Sequence, residues 1–277
     1  MTTIPCWQVN AFTSRPFGGN PAAVCWLERP APDDWMQSVA REMNLSETAY
    51  VCPFEDRLEL RWFTPVSEVD LCGHATLATA HALWTAGIRS DREPLRFHTR
   101  SGWLTCRRVV QADGRNRIEL DFPATPASPG EPPPGLLAAL GIPEASNGSP
   151  DVIHTGRTKF DWLVVLRSAE QVRQLRPDYP RLREFPVRGV IVTARSDDDT
   201  CDFQSRFFAP FVGVDEDPVC GSAHCALTPY WGDVLGKNAL VARQVSSRLG
   251  ELWLRREGDR VVLAGEAVMI WRGEVIV

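Results

Sequence analysis

Arg61-Trp62-Phe63-Thr64-Pro65, leading to Cys72-Gly73-His74, is answered later in the chain by Arg206-Phe207-Phe208-Ala209-Pro210, leading to Cys220-Gly221-Ser222. The two copies stay in step beyond the motif: 220 − 72 = 148, and Gly102 with Gly250 and Arg107-Arg108 with Arg255-Arg256 keep the same offset. A chance match of one tripeptide does not hold its register so far downstream. In each copy an extended run, Leu58 to Phe63 or Asp202 to Phe208, reaches a Cys-Gly step and then a helical apolar pattern, Ala75 to Trp84 or Ala223 to Leu235. Each half therefore gathers a thiol, a permissive glycine and the unpaired amides of a helix start at one point. The duplication predicts two alike domains, with the two Cys-Gly turns facing each other across a cleft.

At 277 residues and 44% hydrophobic, the chain can bury a core in each half. Its net charge is −5, and the basic residues are scattered or paired with acids, so nucleic acid is not an expected partner. Met1 to Pro5 lacks the positive and apolar regions of a secretory signal, and no apolar run reaches the roughly 20 residues of a membrane helix. The expectation is a soluble, cytoplasmic protein without a membrane partner. Eight cysteines in such a setting read as reduced thiols, with Cys6, Cys25, Cys52, Cys106 and Cys201 as small buried hydrophobes in strand-like runs. There is no Cys-x-x-Cys pair, and the five histidines show no metal-like spacing with the cysteines, so no metal is expected. Gly18-Gly19-Asn20-Pro21 is a tight turn without the lysine of a nucleotide loop, and no cofactor is expected.

Strand patterns fall at Ile4 to Val9, Ala22 to Trp26, Thr48 to Cys52, Leu58 to Phe63, Leu95 to Thr99, Trp103 to Val110 and Ile118 to Phe122, with helices at Asp33 to Met43 and Ala75 to Ala86. Six prolines from Pro123 to Pro134 then predict a linker over 123–135. The second half, 136–266, repeats the mix. Ala267 to Val277 is strand-like without a counterpart in the first half, and is expected to complete the N-terminal domain, 1–122.

A Cys-Gly step opening a helix can hold a carboxylate on its free amides, and two such steps can grip one small acid. The ordinary alternative is that Gly73 and Gly221 merely allow tight turns. Glu47, between Leu45 and the apolar run Ala49 to Val51, could exchange protons with carbon or be a surface carboxylate. His74 could be a buried imidazole, Asp217 a turn residue before Pro218, Ser222 a first-turn helix residue, and Asn20 a turn residue.

Four segments, Gly18-Gly19-Asn20-Pro21-Ala22-Ala23-Val24, Asn44-Leu45-Ser46-Glu47-Thr48-Ala49, Cys72-Gly73-His74-Ala75-Thr76 and Glu216-Asp217-Pro218-Val219-Cys220-Gly221-Ser222-Ala223, resemble in content and order the signatures of the PhzF-like family of phenazine-biosynthesis proteins. The resemblance spans nearly the whole chain. It implies an α/β fold similar to diaminopimelate epimerase: two pseudo-symmetric domains, each a curved, mainly antiparallel sheet around a central helix. It also implies a cofactor-independent isomerase, commonly a homodimer, acting on a small carboxylate substrate. By the same resemblance Glu47 is the acid/base, with His74, Asp217 and Ser222 beside it, while Asn20, Gly73 and Gly221 contact substrate.

Two further readings stay open. Cys72 and Cys220 occupy the places of the paired cysteines of epimerases and proline racemases, so a two-cysteine racemase or epimerase is an alternative. A non-catalytic small-acid binding or interaction protein is another, although the joint retention of Glu47, His74, Asp217 and Ser222 speaks against it.

Overall fold

The computed structural model describes residues 3–111, 114–143 and 151–276. The chain forms two compact units, Met1–Asp121 with Val262–Val277, and Phe122–Val261.

The first unit contains β1 (Thr3–Ala11), β2 (Asn20–Trp26), α1 (Asp33–Met43), β3 (Glu47–Phe54), β4 (Arg57–Phe63), β5 (Glu68–Val69), α2 (Gly73–Thr85), β6 (Leu95–Thr99), β7 (Gly102–Val110) and β8 (Asn116–Pro123). The second contains β9 (Ser128–Pro129), α3 (Leu136–Ala139), β10 (Val152–Arg157), β11 (Asp161–Leu166), α4 (Ala169–Gln174), α5 (Tyr179–Leu182), β12 (Gly189–Arg195), β13 (Phe203–Ala209), β14 (Val214–Asp217), α6 (Gly221–Leu235), β15 (Ala239–Gln244) and β16 (Gly250–Glu257). β17 (Arg260–Gly265) crosses the unit boundary, and β18 (Ala267–Ile276) pairs antiparallel with β1 in the first unit.

The strand order of the first unit is β18-β1-β2-β3-β4-β6-β7-β8, antiparallel except for the parallel pairs β2–β3 and β4–β6. The second unit runs β9-β10-β11-β12-β13-β15-β16 and repeats the same parallel pairs, β11–β12 and β13–β15. α2 is apolar around most of its circumference, as a helix covered on every side must be, and its residues from His74 to Ala80 are all buried. It touches β1, β2, β3, β7 and β18, strands far apart in the sheet order, so the sheet curves around it.

The repeated arginine explains the motif that opens each copy. Arg61 Nε and Nη2 donate to Glu68 at 2.7 and 2.6 Å, and Arg206 Nε and Nη2 donate to Glu216 at 2.7 and 2.8 Å. Each guanidinium also covers the phenyl ring two residues on, Phe63 at 5.1 Å and Phe208 at 4.8 Å. A bidentate fork plus a ring contact fixes where the strand hands over to the segment before the helix.

The proline-rich segment is not a separate linker. It lies within the second unit: Ser128 and Pro129 pair with Arg157 and Gly156, Ala124 N donates to Asp259 O, and Thr125 N donates to Cys225 O. Proline removes a donor but leaves its carbonyl, so such a segment can lie along an edge strand. The second unit also ends earlier than 266, because 262–266 belongs with the first. Val277, the last residue of the predicted closing strand, lies outside the described residues.

Candidate active site

In the first unit β2 and β3 run parallel with Ala22 opposite Glu47, so Asn20 and Glu47 open neighbouring strands at one end, where α2 begins. Cys72 is the extended N-cap of α2, and its side chain does not bond the first-turn amides. His74, 4% exposed, is the hub. Its Nε2 is 3.1 Å from Glu47 Oε2, close enough for an ion pair but not aligned as a hydrogen bond. Its Nδ1 is 3.1 Å from Asn20 Nδ2 and 3.5 Å from Cys72 Sγ. Ser46 Oγ donates to Asn20 Oδ1 at 3.1 Å.

Burial opposes charge on this imidazole, while Glu47 and, once ionised, Cys72 favour it and raise the His74 pKa above its ordinary value. Burial, with the Glu47 charge beside it, pushes the Cys72 thiol up to about 11, so it stays protonated near neutral pH. Asn20 accommodates either state of the ring: its amide nitrogen donates to a bare Nδ1, and turned over, its oxygen accepts from a protonated one. Glu47, Cys72 and His74 each offer a ligand atom, and these atoms lie within 4.8 Å of one another, so the group could hold a metal ion although the sequence shows no metal-like spacing. Glu47 meets Nε2 and Cys72 meets Nδ1, and the lone pairs of those nitrogens diverge.

The second unit places Asp217, Cys220, Gly221 and Ser222 together at the start of α6. Cys220 is again an extended N-cap, and Gln244 clamps the turn: its Oε1 accepts from Cys220 N at 2.9 Å and its Nε2 donates to Asp217 O at 2.6 Å. Cys220 Sγ is 3.3 Å from Ser222 Oγ. Burial and then the Asp217 charge raise the Cys220 pKa well above the ordinary thiol value, with Arg188 partly opposing them.

Arg188 was not legible as a site residue. Its Nη1 donates to Ser222 Oγ at 3.0 Å, its Nε donates to Asp161 Oδ1 at 2.8 Å, and its Nη2 bonds Asp161 Oδ2. Asp161 is 1% exposed, and burial raises its pKa against the pull of Arg188. The parallel pairing of β11 with β12 sets Asp161 opposite Gly189, the residue after Arg188. Nothing in the sequence marks Arg188 among 30 basic residues, because its partner lies on another strand.

The family model described as phenazine biosynthesis-like protein matches residues 9–273. The chain belongs to this family. It is 46% identical to an uncharacterized isomerase of Halalkalibacterium halodurans, over the whole of both chains. A crystal structure of a PhzF family phenazine biosynthesis protein of Enterococcus faecalis superposes with a TM-score of 0.90 at 39% identity, covering all of both chains. A hydroxyproline epimerase of Agrobacterium vitis shares the fold at a TM-score of 0.62 and 11% identity, covering 99% of this chain and 92% of that one. The chain is thus an isomerase of this family, with an epimerase-like fold.

The strand registers show how far its two halves match. Thr48 faces Phe63 and Val190 faces Phe208, and these phenylalanines hold the same place in the repeated motif. Glu47 in the first half therefore corresponds to Gly189 in the second, and Ser46 to Arg188. The thiols are duplicated, while the carboxylate is not. A Cβ at Gly189 would lie 2.3 Å from Phe207 Cζ, so the second half has no room for a side chain there.

Proposed function

We propose that the protein is a cofactor-independent isomerase that moves a proton between carbons of a small carboxylate-bearing substrate, with Glu47 as the acid/base. The observation that carries this reading is the contact of Glu47 Oε2 with the buried His74 Nε2. The imidazole beside it holds the Glu47 carboxyl group in place, and that group would take a proton from one carbon and return it to the second. A single carrier suits transfer between carbons of one molecule. In the first unit Asn20 and the amides of the Gly73 turn would contact substrate, and in the second the amides of the Gly221-Ser222 turn would hold a carboxylate while Asp217 would assist proton transfer.

The two-cysteine reading draws support from the mirrored Cys72 and Cys220. Against it, burial pushes both thiols above the ordinary range, which disfavours the thiolate that one of them would need as a base. Substrate-dependent deuterium incorporation from D₂O separates the readings, using a substrate found by screening small unsaturated and amino carboxylates. Glu47→Gln is expected to slow exchange by roughly a hundredfold or more, and Cys72→Ser and Cys220→Ser to have mild effects. Exchange that survives Glu47→Gln but is lost with either cysteine would establish the racemase reading. No exchange with any carboxylate would leave a binding protein.

A further inference from the structure

We propose that Arg188 and Ser222 together form the anion-recognising pair of the second half-site, so that Arg188 fixes the carboxylate specificity of the enzyme. The inference rests on the proposal that the Gly221-Ser222 turn takes the substrate carboxylate. It adds the residues that would select for that group.

A guanidinium has five N–H groups. Asp161 occupies the edge formed by Nε and Nη2, and Ser222 Oγ takes one N–H of Nη1. The remaining N–H of Nη1 and of Nη2 have no protein acceptor among the described residues. The side chain is 35% exposed, so these donors have access to solute. Phe160 lies against the guanidinium at 4.9 Å and Phe207 at 5.7 Å. With Asp161 holding one edge and rings against the fork, Arg188 is fixed before any ligand arrives, which reduces the ordering cost of binding.

Ser222 completes the pair. Because Arg188 donates to its oxygen, the Ser222 proton must point elsewhere, towards Cys220 Sγ or a ligand. The local surface offers two N–H groups and one O–H beside the start of a 15-residue helix, and these donors suit a carboxylate. Asp217, whose charge also reaches Arg188, opposes a second negative charge and favours a monoanionic group here.

Titration calorimetry with benzoate and with succinate tests this in the full chain. Arg188→Met is expected to weaken binding by about ten- to a hundredfold, the worth of charge-assisted hydrogen bonds, and Ser222→Ala by a few-fold. Arg188→Lys keeps the charge but not the fork, and should recover only part of the affinity. Circular dichroism and thermal melting establish that each variant is folded, and Arg188→Lys serves as the test if Arg188→Met is not. Full affinity in a folded Arg188 variant, or no binding of either carboxylate to the native chain at millimolar concentrations, overturns the proposal. Its failure is separable from that of the proton carrier. Glu47→Gln should still bind benzoate, and exchange persisting in Glu47→Gln while Arg188→Met loses binding would remove Glu47 as base and leave the anion site standing.

Discussion

Arg61 and Arg206 hold the same place in the repeated motif, yet replacing each by methionine should have unequal consequences. Arg206 is 8% exposed, and besides its fork on Glu216 its Nη1 donates to Leu175 O at 3.0 Å and Val172 O at 3.4 Å. Arg206→Met leaves Glu216, whose side chain is 16% exposed, without a cation among the described residues, and strips donors from two carbonyls at the end of α4. Removing one member of a buried pair costs about 3–5 kcal/mol. Arg61 is more exposed, at 28% of its side chain, and Glu68 retains Arg100 Nη2 at 2.6 Å after Arg61→Met. That loss should be about 1 kcal/mol, in the range of surface pairs. Urea denaturation of both variants, with one transition fitted per unit wherever two are resolved, reads the difference. Equal losses, or a loss below about 1.5 kcal/mol for Arg206→Met, would refute the reasoning from burial and remaining partners.

Acid should destabilise the second unit through His224. Burial lowers its pKa to about 4 against an ordinary 6.5, so as pH falls from 6.5 to 4 the unfolded chain takes up a proton that the folded one excludes. Stability then falls by about 3 kcal/mol over that window, and the slope of melting temperature against pH should be shallower in His224→Asn. His74 acts in the opposite sense: its raised pKa contributes stability that is complete below pH 6.5 and is lost as pH rises through the folded value. Alkylation by iodoacetamide, followed by peptide mass spectrometry, should find Cys72 far slower than a free thiol at pH 8 and still accelerating towards pH 11, whereas rapid labelling at pH 8 would show a thiolate and favour the two-cysteine reading.

Most strands and helices were legible because period-two and helical apolar patterns survive in a sheet with one buried face and in a buried central helix. β5, β9 and β14 were not, since segments of two to four residues carry no periodicity. The proline run read as a linker because proline content reports the missing donors, while its contacts depend on carbonyls and on neighbours far along the chain. Cys72 was marked by the repeated Cys-Gly step, whereas Glu47 and His74 were named through the family resemblance, since each read alone also fits an ordinary structural residue. Arg188, Asp161 and Gln244 were missed for a common reason: each acts through a partner at least 24 residues away, brought near by strand pairing.

The same registers decide how the duplication should be understood. The sequence shows two thiols at matching positions and invites a symmetric pair of catalysts. Strand pairing instead sets Glu47 against Gly189, and Ser46 against Arg188. One half keeps a carboxylate on a buried imidazole, and the other has a glycine in place of that acid, with the Arg188 guanidinium one residue earlier bonded to Ser222 in the first turn of α6. The fold is repeated, while the contact of Glu47 with His74 has no counterpart at Gly189. A single proton carrier at Glu47 fits that asymmetry, whereas the duplicated Cys72 and Cys220 are the pair a symmetric two-base exchange would use, and deuterium exchange in Glu47→Gln decides between them.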